Sequence, residues 1–250
     1  MMQICFRSTE NQACWAWTHG LRILGQREIA VIIPWSEQDL RTMFITRLLR
    51  FLENYLISQP KRILPEQTLH YGWTTLRFVE DEHNLSGAGA DVLLIEEMQH
   101  PFFADDSSYI PGVERMVALM QLQDEAMQRN SVTGDVIYPH RSQYALVCTR
   151  VTPGTVHVLR PLMVHRPWQP NVQESGWFIG CCNQDHDHDH PDELNAIHLY
   201  HLVSQFPGIF PYLAMPVNTA LLFEKDQVIL FRPGEQNGQV DPGNLLTSLP

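Results

Sequence analysis

The sequence predicts an α+β protein: two mixed modules with mostly antiparallel sheets and flanking helices. Three observations carry this. Two amphipathic helical patterns lie in the first half, and short apolar runs bounded by turn residues recur in both halves. Between them, the stretch 131–140 contains Gly134 and Pro139 and marks a change of texture. The expected organisation is a module of unassigned role over residues 1–139 and a second α+β module over residues 140–250.

Each element has its own warrant. Glu28-Ile29-Ala30-Val31-Ile32-Ile33 is a β-branched run closed by Pro34, which reads as a buried strand. Ser36, with Asp39 three residues on, is a helix-capping pattern. Leu40, Phe44, Leu48, Phe51, Leu52 and Tyr55 then recur at helical spacing until Pro60, while Arg41, Arg47 and Arg50 form a solvated face. Thr68 to Val79 is expected as one strand with Gly72 as a candidate bulge. An acidic, glycine-containing loop joins it to a strand over Asp91 to Glu97. After the loop at Asp105-Asp106-Ser107-Ser108, a second helix is marked by Val113, Met116, Val117, Met120 and Met127, whose methionines are core filler.

Beyond residue 140 the expectations are mostly strands. Tyr144–Val151 and Val156–Leu159 flank a Pro153-Gly154 turn, Leu162-Met163-Val164 extends the second or begins another, and Ser175–Cys182 follows. Leu194, Ile197, His198, His201, Leu202 and Gln205 fit one helix ending before Pro207. Pro211 and Pro216 bracket a segment expected as an edge strand or crossing loop. Leu221–Phe223 and Val228–Phe231 read as a hairpin, and the tail from Pro233 as loose.

Composition narrows the function. The 250 residues carry 17 Lys+Arg against 28 Asp+Glu, a net charge of −11, with 44% hydrophobic residues. That content supports ordinary cores. The acidic balance disfavours nucleic acid and anionic membranes, both of which select basic surfaces. The polar Ser8 to Gln12 segment leaves no apolar core for a secretion signal, so a cytoplasmic location is expected. Five scattered cysteines (Cys5, Cys14, Cys148, Cys181, Cys182) argue against a disulfide framework, and the Cys181-Cys182 pair is expected to be buried, with redox or metal roles as the alternative. Oligomeric state is open.

One segment concentrates chemistry: Asp185-His186-Asp187-His188-Asp189-His190, then Pro191, Asp192 and Glu193. A calcium loop fails, because the sixth residue is His190 rather than glycine and the twelfth is Ala196 rather than glutamate. Zinc fits better, with His186, His188 and His190 alternating and His198 and His201 on the following helix. The preferred reading is a solvated loop whose Asp192 and Glu193 sit at a helix start, with no cofactor; zinc is the alternative. No phosphate loop, dinucleotide fingerprint or nucleophile elbow is present. Cys148 or Cys181 with a distant histidine could be drawn as a nucleophile pair, but twelve histidines make such pairings cheap. Asp81-Glu82 and Glu96-Glu97 read as surface acids. No catalytic set emerges.

The C-terminal half does carry an ordered pattern: Arg166-Pro167, Glu174-Ser175-Gly176-Trp177-Phe178, the acidic loop, Pro191-Asp192-Glu193-Leu194-Asn195, Leu199-Tyr200 and Pro211-Tyr212-Leu213-Ala214-Met215-Pro216. It resembles the immunity-protein-33-like domain of bacterial polymorphic-toxin loci, over about residues 140–250. Glu174 stands where that pattern usually has aspartate, and the interleaved histidines are more numerous than the pattern leads one to expect. The resemblance implies a non-enzymatic protein that neutralises a cognate toxin by stoichiometric occlusion. Its contact residues are then expected among Asp185, Asp187, Asp189, Asp192 and Glu193, with Trp177 as nearby support. An acidic loop suits a basic partner, since complementary charge speeds association. The competing reading is a metal-binding protein or metal-dependent hydrolase using the loop at 185–190.

Overall fold

The computed structural model describes the chain apart from residues 1, 9–12, 35–37, 60, 90, 104–107, 133–135, 152–161, 168–170, 183–185, 187, 189, 225–226, 232–244 and 248–250. The capping Ser36, Pro60, the Asp105-Asp106-Ser107 loop, Gly134, the Pro153-Gly154 turn and the expected Val156–Leu159 strand lie outside the described residues. The chain divides into two compact units, Met1–Pro101 with Asp105–Met120, and Phe102–Ala104 with Gln121–Pro250.

The first unit holds a seven-stranded sheet. Its strands are β1 (Gln3–Ser8), β2 (Ala13–His19), β3 (Glu28–Pro34), β4 (Thr68–Tyr71), β5 (Thr74–Glu80), β6 (Val92–Met98) and β7 (Tyr109–Pro111). The order is β1-β2-β3-β6-β5-β4, with β7 also on β6. Among the described residues only β3–β6 is parallel in this sheet, which demands a long crossover, and α1 (Gln38–Ser58) lies within it. The helix buries Phe44, Ile45, Leu48, Leu49, Leu52 and Leu56 and leaves Arg47 and Arg50 exposed. Ile29, Ala30 and Val31 of β3 are fully buried, as a strand flanked on both sides requires.

Two sequence expectations change here. Thr68 to Val79 is a hairpin rather than one strand: Tyr71 pairs with Thr74 across a two-residue turn in which Gly72 has φ +53°. A left-handed first turn residue matches the twist of the flanking strands, and glycine supplies it without a Cβ clash. Glu97 is also no surface acid. It is fully buried, and its two carboxylate oxygens accept the Arg115 and Met116 amides at 2.8 and 2.7 Å. It thereby caps α2 (Glu114–Arg129) from β6, satisfying amide groups that the first helical turn leaves without partners. Burial is the larger influence and raises its carboxyl to about 7.

Gly112, at the entry to α2, has φ +94°, and a Cβ there would lie 2.8 Å from Ile32 Cγ2 and 3.2 Å from the Ile32 carbonyl oxygen. Gly89 has a similar φ of +105° but open space around it. Gly112→Ala should therefore lower the urea midpoint more than Gly89→Ala, by about 1–3 kcal/mol of extra destabilisation. Equal losses in the two variants would show that backbone conformation alone, and not the approach of β3, sets the requirement.

The second unit has its own seven-stranded sheet, in the order β11-β8-β10-β9-β12-β13-β14. These are β8 (Tyr144–Cys148), β9 (Leu162–His165), β10 (Glu174–Cys181), β11 (Leu194–His198), β12 (Ala220–Glu224), β13 (Gln227–Phe231) and β14 (Leu245–Thr247). β8–β10 is the parallel pair; the rest are antiparallel. The division between units falls inside α2, where Val113, Met116, Val117, Met120 and Met127 are all buried.

Four departures from expectation occur here. Leu194–His198 is a strand paired with β8, so the helix α3 begins only at Leu199 and runs to Gln205. Asp192 sits in a short 3₁₀ turn, Pro191–Glu193, whose amide at Asp192 donates to the His190 side chain. The Pro211 segment is a 3₁₀ helix, Pro207–Tyr212, which tolerates proline because short helices have few interior amide bonds to lose. Finally, Leu245–Thr247 is not loose but adds a strand to β13.

Candidate functional site

The ordered pattern in the C-terminal half converges on one buried arginine. Arg166 is fully buried, and its guanidinium donates to the main-chain oxygens of Ser175 (3.1 Å), Met215 and Leu213 (3.5 Å). Its own backbone amide donates to Thr219 O, and its carbonyl accepts from Asn218. Trp177, also fully buried, lies 5.4 Å from the guanidinium and donates its indole N–H to Leu213 O at 3.0 Å. Gly176 has φ +76° at the point where the β8–β10 register shifts between Glu174 and Phe178. Such a bulge re-aims the next side chain, here the indole, into the core. Burial lowers the Arg166 pKa to about 10, so the group remains cationic at neutral pH. The Arg-Pro, Ser-Gly-Trp and Pro-Tyr-Leu-Ala-Met-Pro stretches thus form a structural staple. Trp177 presents no surface to a partner.

A second cluster lies at the ends of the parallel strands. Cys148 ends β8 and Cys181 ends β10, and the pairings Phe178 with Leu146 and Ile179 with Val147 bring those ends side by side. The two sulfurs are 3.7 Å apart. His186 and His188, which follow β10 in sequence, lie against these sulfurs. His186 Nδ1 sits 3.1 Å from Cys148 Sγ and 3.2 Å from Cys181 Sγ, and His188 Nε2 sits 3.4 Å from Cys181 Sγ. All four side-chain donor atoms fall within 4.8 Å of one another. The other ring nitrogen of His186 faces Glu193 Oε2 at 3.0 Å, and that oxygen also accepts the Thr149 hydroxyl at 2.8 Å. The hydrogen bonds from His186 and Thr149 hold the Glu193 carboxyl below the usual carboxylate range. His188 packs edge-on against Phe178, with ring centroids 5.5 Å apart.

The residues singled out in the sequence are therefore divided. His186 and His188 belong to the cluster; His190 is exposed beside Asp192, 3.8 Å away. His198 and His201 line a separate cavity of about 290 Å³ with Val147, Val151, Ile197 and Leu202. Asp192 is exposed, Glu193 is half-buried against His186, and Asp185, Asp187 and Asp189 lie outside the described residues. Cys181 is half-buried and Cys182 exposed, so the pair is not the buried one expected, because β10 ends at Cys181. None of the five cysteines forms a disulfide. The sequence reasoning missed Cys148 as a neighbour of the histidines. Its only local signal is a cysteine closing an apolar run.

The second unit is a mixed-sheet α+β domain in which the Arg-Pro, Ser-Gly-Trp and Pro-Tyr-Leu-Ala-Met-Pro stretches build the core. Residues 123–231 match the family model of the Imm33-like domain. The matched segment contains the arginine staple and the cysteine–histidine cluster alike. No curated protein and no solved structure matches the chain.

Proposed function

We propose that the protein is a cytoplasmic immunity protein that binds a cognate bacterial toxin or secretion-system effector and neutralises it by stoichiometric occlusion, without turnover. The observation that carries this reading is the Imm33-like domain at residues 123–231. The net charge of −11 adds to it, since an acidic inhibitor is drawn to a basic toxin and associates faster. The contact surface is assigned to the acidic run Asp185, Asp187, Asp189 and Asp192, a set of carboxylates in a segment that also contains the exposed His190.

The test is co-expression with the toxin candidate encoded beside the gene. Rescue of growth and co-purification in a one-to-one complex are expected, and failure of both with every neighbouring candidate would remove the immunity reading. The contact assignment is tested separately. Changing Asp185, Asp187, Asp189 and Asp192 together to Asn should slow association about 10-fold or more at low salt and weaken its salt dependence. An unchanged association rate alongside intact rescue would place the contact surface elsewhere.

A further inference from the structure

We propose that Cys148, Cys181, His186 and His188 bind one zinc ion as a closed structural site. The assignment is independent of the toxin-binding reading. It rests on geometry and on the chemistry of the donors. A tetrahedral zinc with bonds of about 2.3 Å to sulfur and about 2.0–2.1 Å to imidazole places two sulfurs about 3.8 Å apart and each sulfur about 3.6 Å from a nitrogen. The observed separations are 3.7 Å between the sulfurs and 3.1, 3.2 and 3.4 Å between sulfur and nitrogen. Those four separations lie within about 0.5 Å of the tetrahedral values, and all four donor atoms fall within 4.8 Å of one another. Two thiolates with two imidazoles are the ligand set that selects zinc over harder divalent ions.

The surroundings fit the same conclusion. His186 must present a lone pair at Nδ1, so its proton must reside on Nε2, and Glu193 stands 3.0 Å from that nitrogen to accept it. Carboxylates placed in this way fix the tautomer and raise the basicity of metal-bound histidines. Thr149 in turn fixes Glu193. Cys148 is at 0% exposure and the His186 side chain at 2%, while Cys181 and His188 are half-buried, so the site lies at the edge of the core. Four protein ligands leave no open position for a substrate or an activated water, which makes the role structural rather than hydrolytic. The ion would join the ends of β8 and β10 to the segment that follows β10, and so tether the start of the acidic run to the sheet.

The experiment uses full-length protein purified without a histidine tag, under reducing conditions. One zinc per chain is expected by elemental analysis. Replacement by cobalt should give intense visible d–d bands and a thiolate charge-transfer absorption in the near ultraviolet. Cys148→Ser and His188→Ala should lose the ion, whereas Cys182→Ser, His190→Ala and His198→Ala should keep it. His188→Cys should retain one zinc and strengthen the cobalt charge-transfer band, which keeps the test valid if other ligand variants fail to fold. Glu193→Gln should weaken zinc affinity about 10–100-fold.

Three results would overturn the proposal. One is a folded, reduced protein that takes up no zinc. A second is zinc uptake that survives Cys148→Ser but is lost in His190→Ala. The third is a Cys148–Cys181 disulfide in the protein as isolated from the cytoplasm under alkylation.

Discussion

Arg166→Ala should unfold the second unit under conditions in which the parent chain is stable, with a loss of about 3–5 kcal/mol. The side chain donates to three main-chain oxygens from two separate stretches, one in β10 and two in the segment after the Pro207–Tyr212 helix. Removing it leaves the Ser175 and Met215 oxygens without that donor, whereas Leu213 O keeps the Trp177 indole. It also opens a cavity beside the indole ring. Arg166→Met separates these causes. It fills most of the volume and relieves the burial of a charge, yet restores no donor. If the lost hydrogen bonds dominate, Met should still be well below the parent; if charge burial dominates, Met should match or exceed it. Urea titrations followed by tryptophan fluorescence and circular dichroism decide the matter, and a parent-like Arg166→Ala would refute the staple.

The second large effect is a pH dependence placed in the first unit. Glu97 titrates at about 7 when folded, against an ordinary 4.5. The folded state therefore holds its proton where the unfolded chain has already lost it. Its contribution is fully present below about pH 4.5, declines as pH rises, and is gone above about pH 7. The magnitude is on the order of 3 kcal/mol. Other carboxylates titrate over the same range, so the comparison is with Glu97→Gln. That variant should have a lower midpoint at acidic pH, because one of the Arg115 and Met116 amides loses its acceptor, but a flatter profile between pH 5 and 8. Parallel profiles for the two proteins would refute the assignment.

Which parts of this fold were legible follows from how local their causes are. The helices α1 and α2 announce themselves through apolar residues one turn apart: the residues named for α2 are all buried, whereas in α1 Phe44, Leu48 and Leu52 are buried, Phe51 and Tyr55 are half-buried, and Ile45, Leu49 and Leu56 complete the face. The strand β3 is equally plain, since a run of β-branched residues ended by proline has few other readings. By contrast, β1 and β2 passed unnoticed: Gln3–Ser8 mixes polar and apolar residues as an edge strand can. Leu194, Ile197, His198 and His201 satisfy helical spacing, yet the first three sit on a strand, because β8 offers its edge to Leu194–His198. Tertiary pairing overrode local periodicity there.

The site shows the same limit more sharply. The histidines are conspicuous in the sequence, but their neighbour Cys148 lies 38 positions before His186 and 33 before Cys181. Only the parallel pairing of β8 with β10 brings it alongside, and nothing in the local residue pattern specifies that register. The Arg166 staple is hidden for a similar reason. An isolated arginine before a proline looks like surface, and its burial depends on carbonyls 47 and 49 residues away.

Those separations bear on how the domain is made. During synthesis Arg166 leaves the ribosome well before residues 213–219 do, so its guanidinium waits without its C-terminal acceptors while the chain grows. Closing so long a loop is entropically costly, and structures built on distant pairings form slowly. The second unit should therefore acquire its protected core only after residues 213–219 have emerged, with strands β8 to β10 exposed until then. A nascent chain stalled before Leu213 should remain protease-sensitive, and one extended past Glu224 should not.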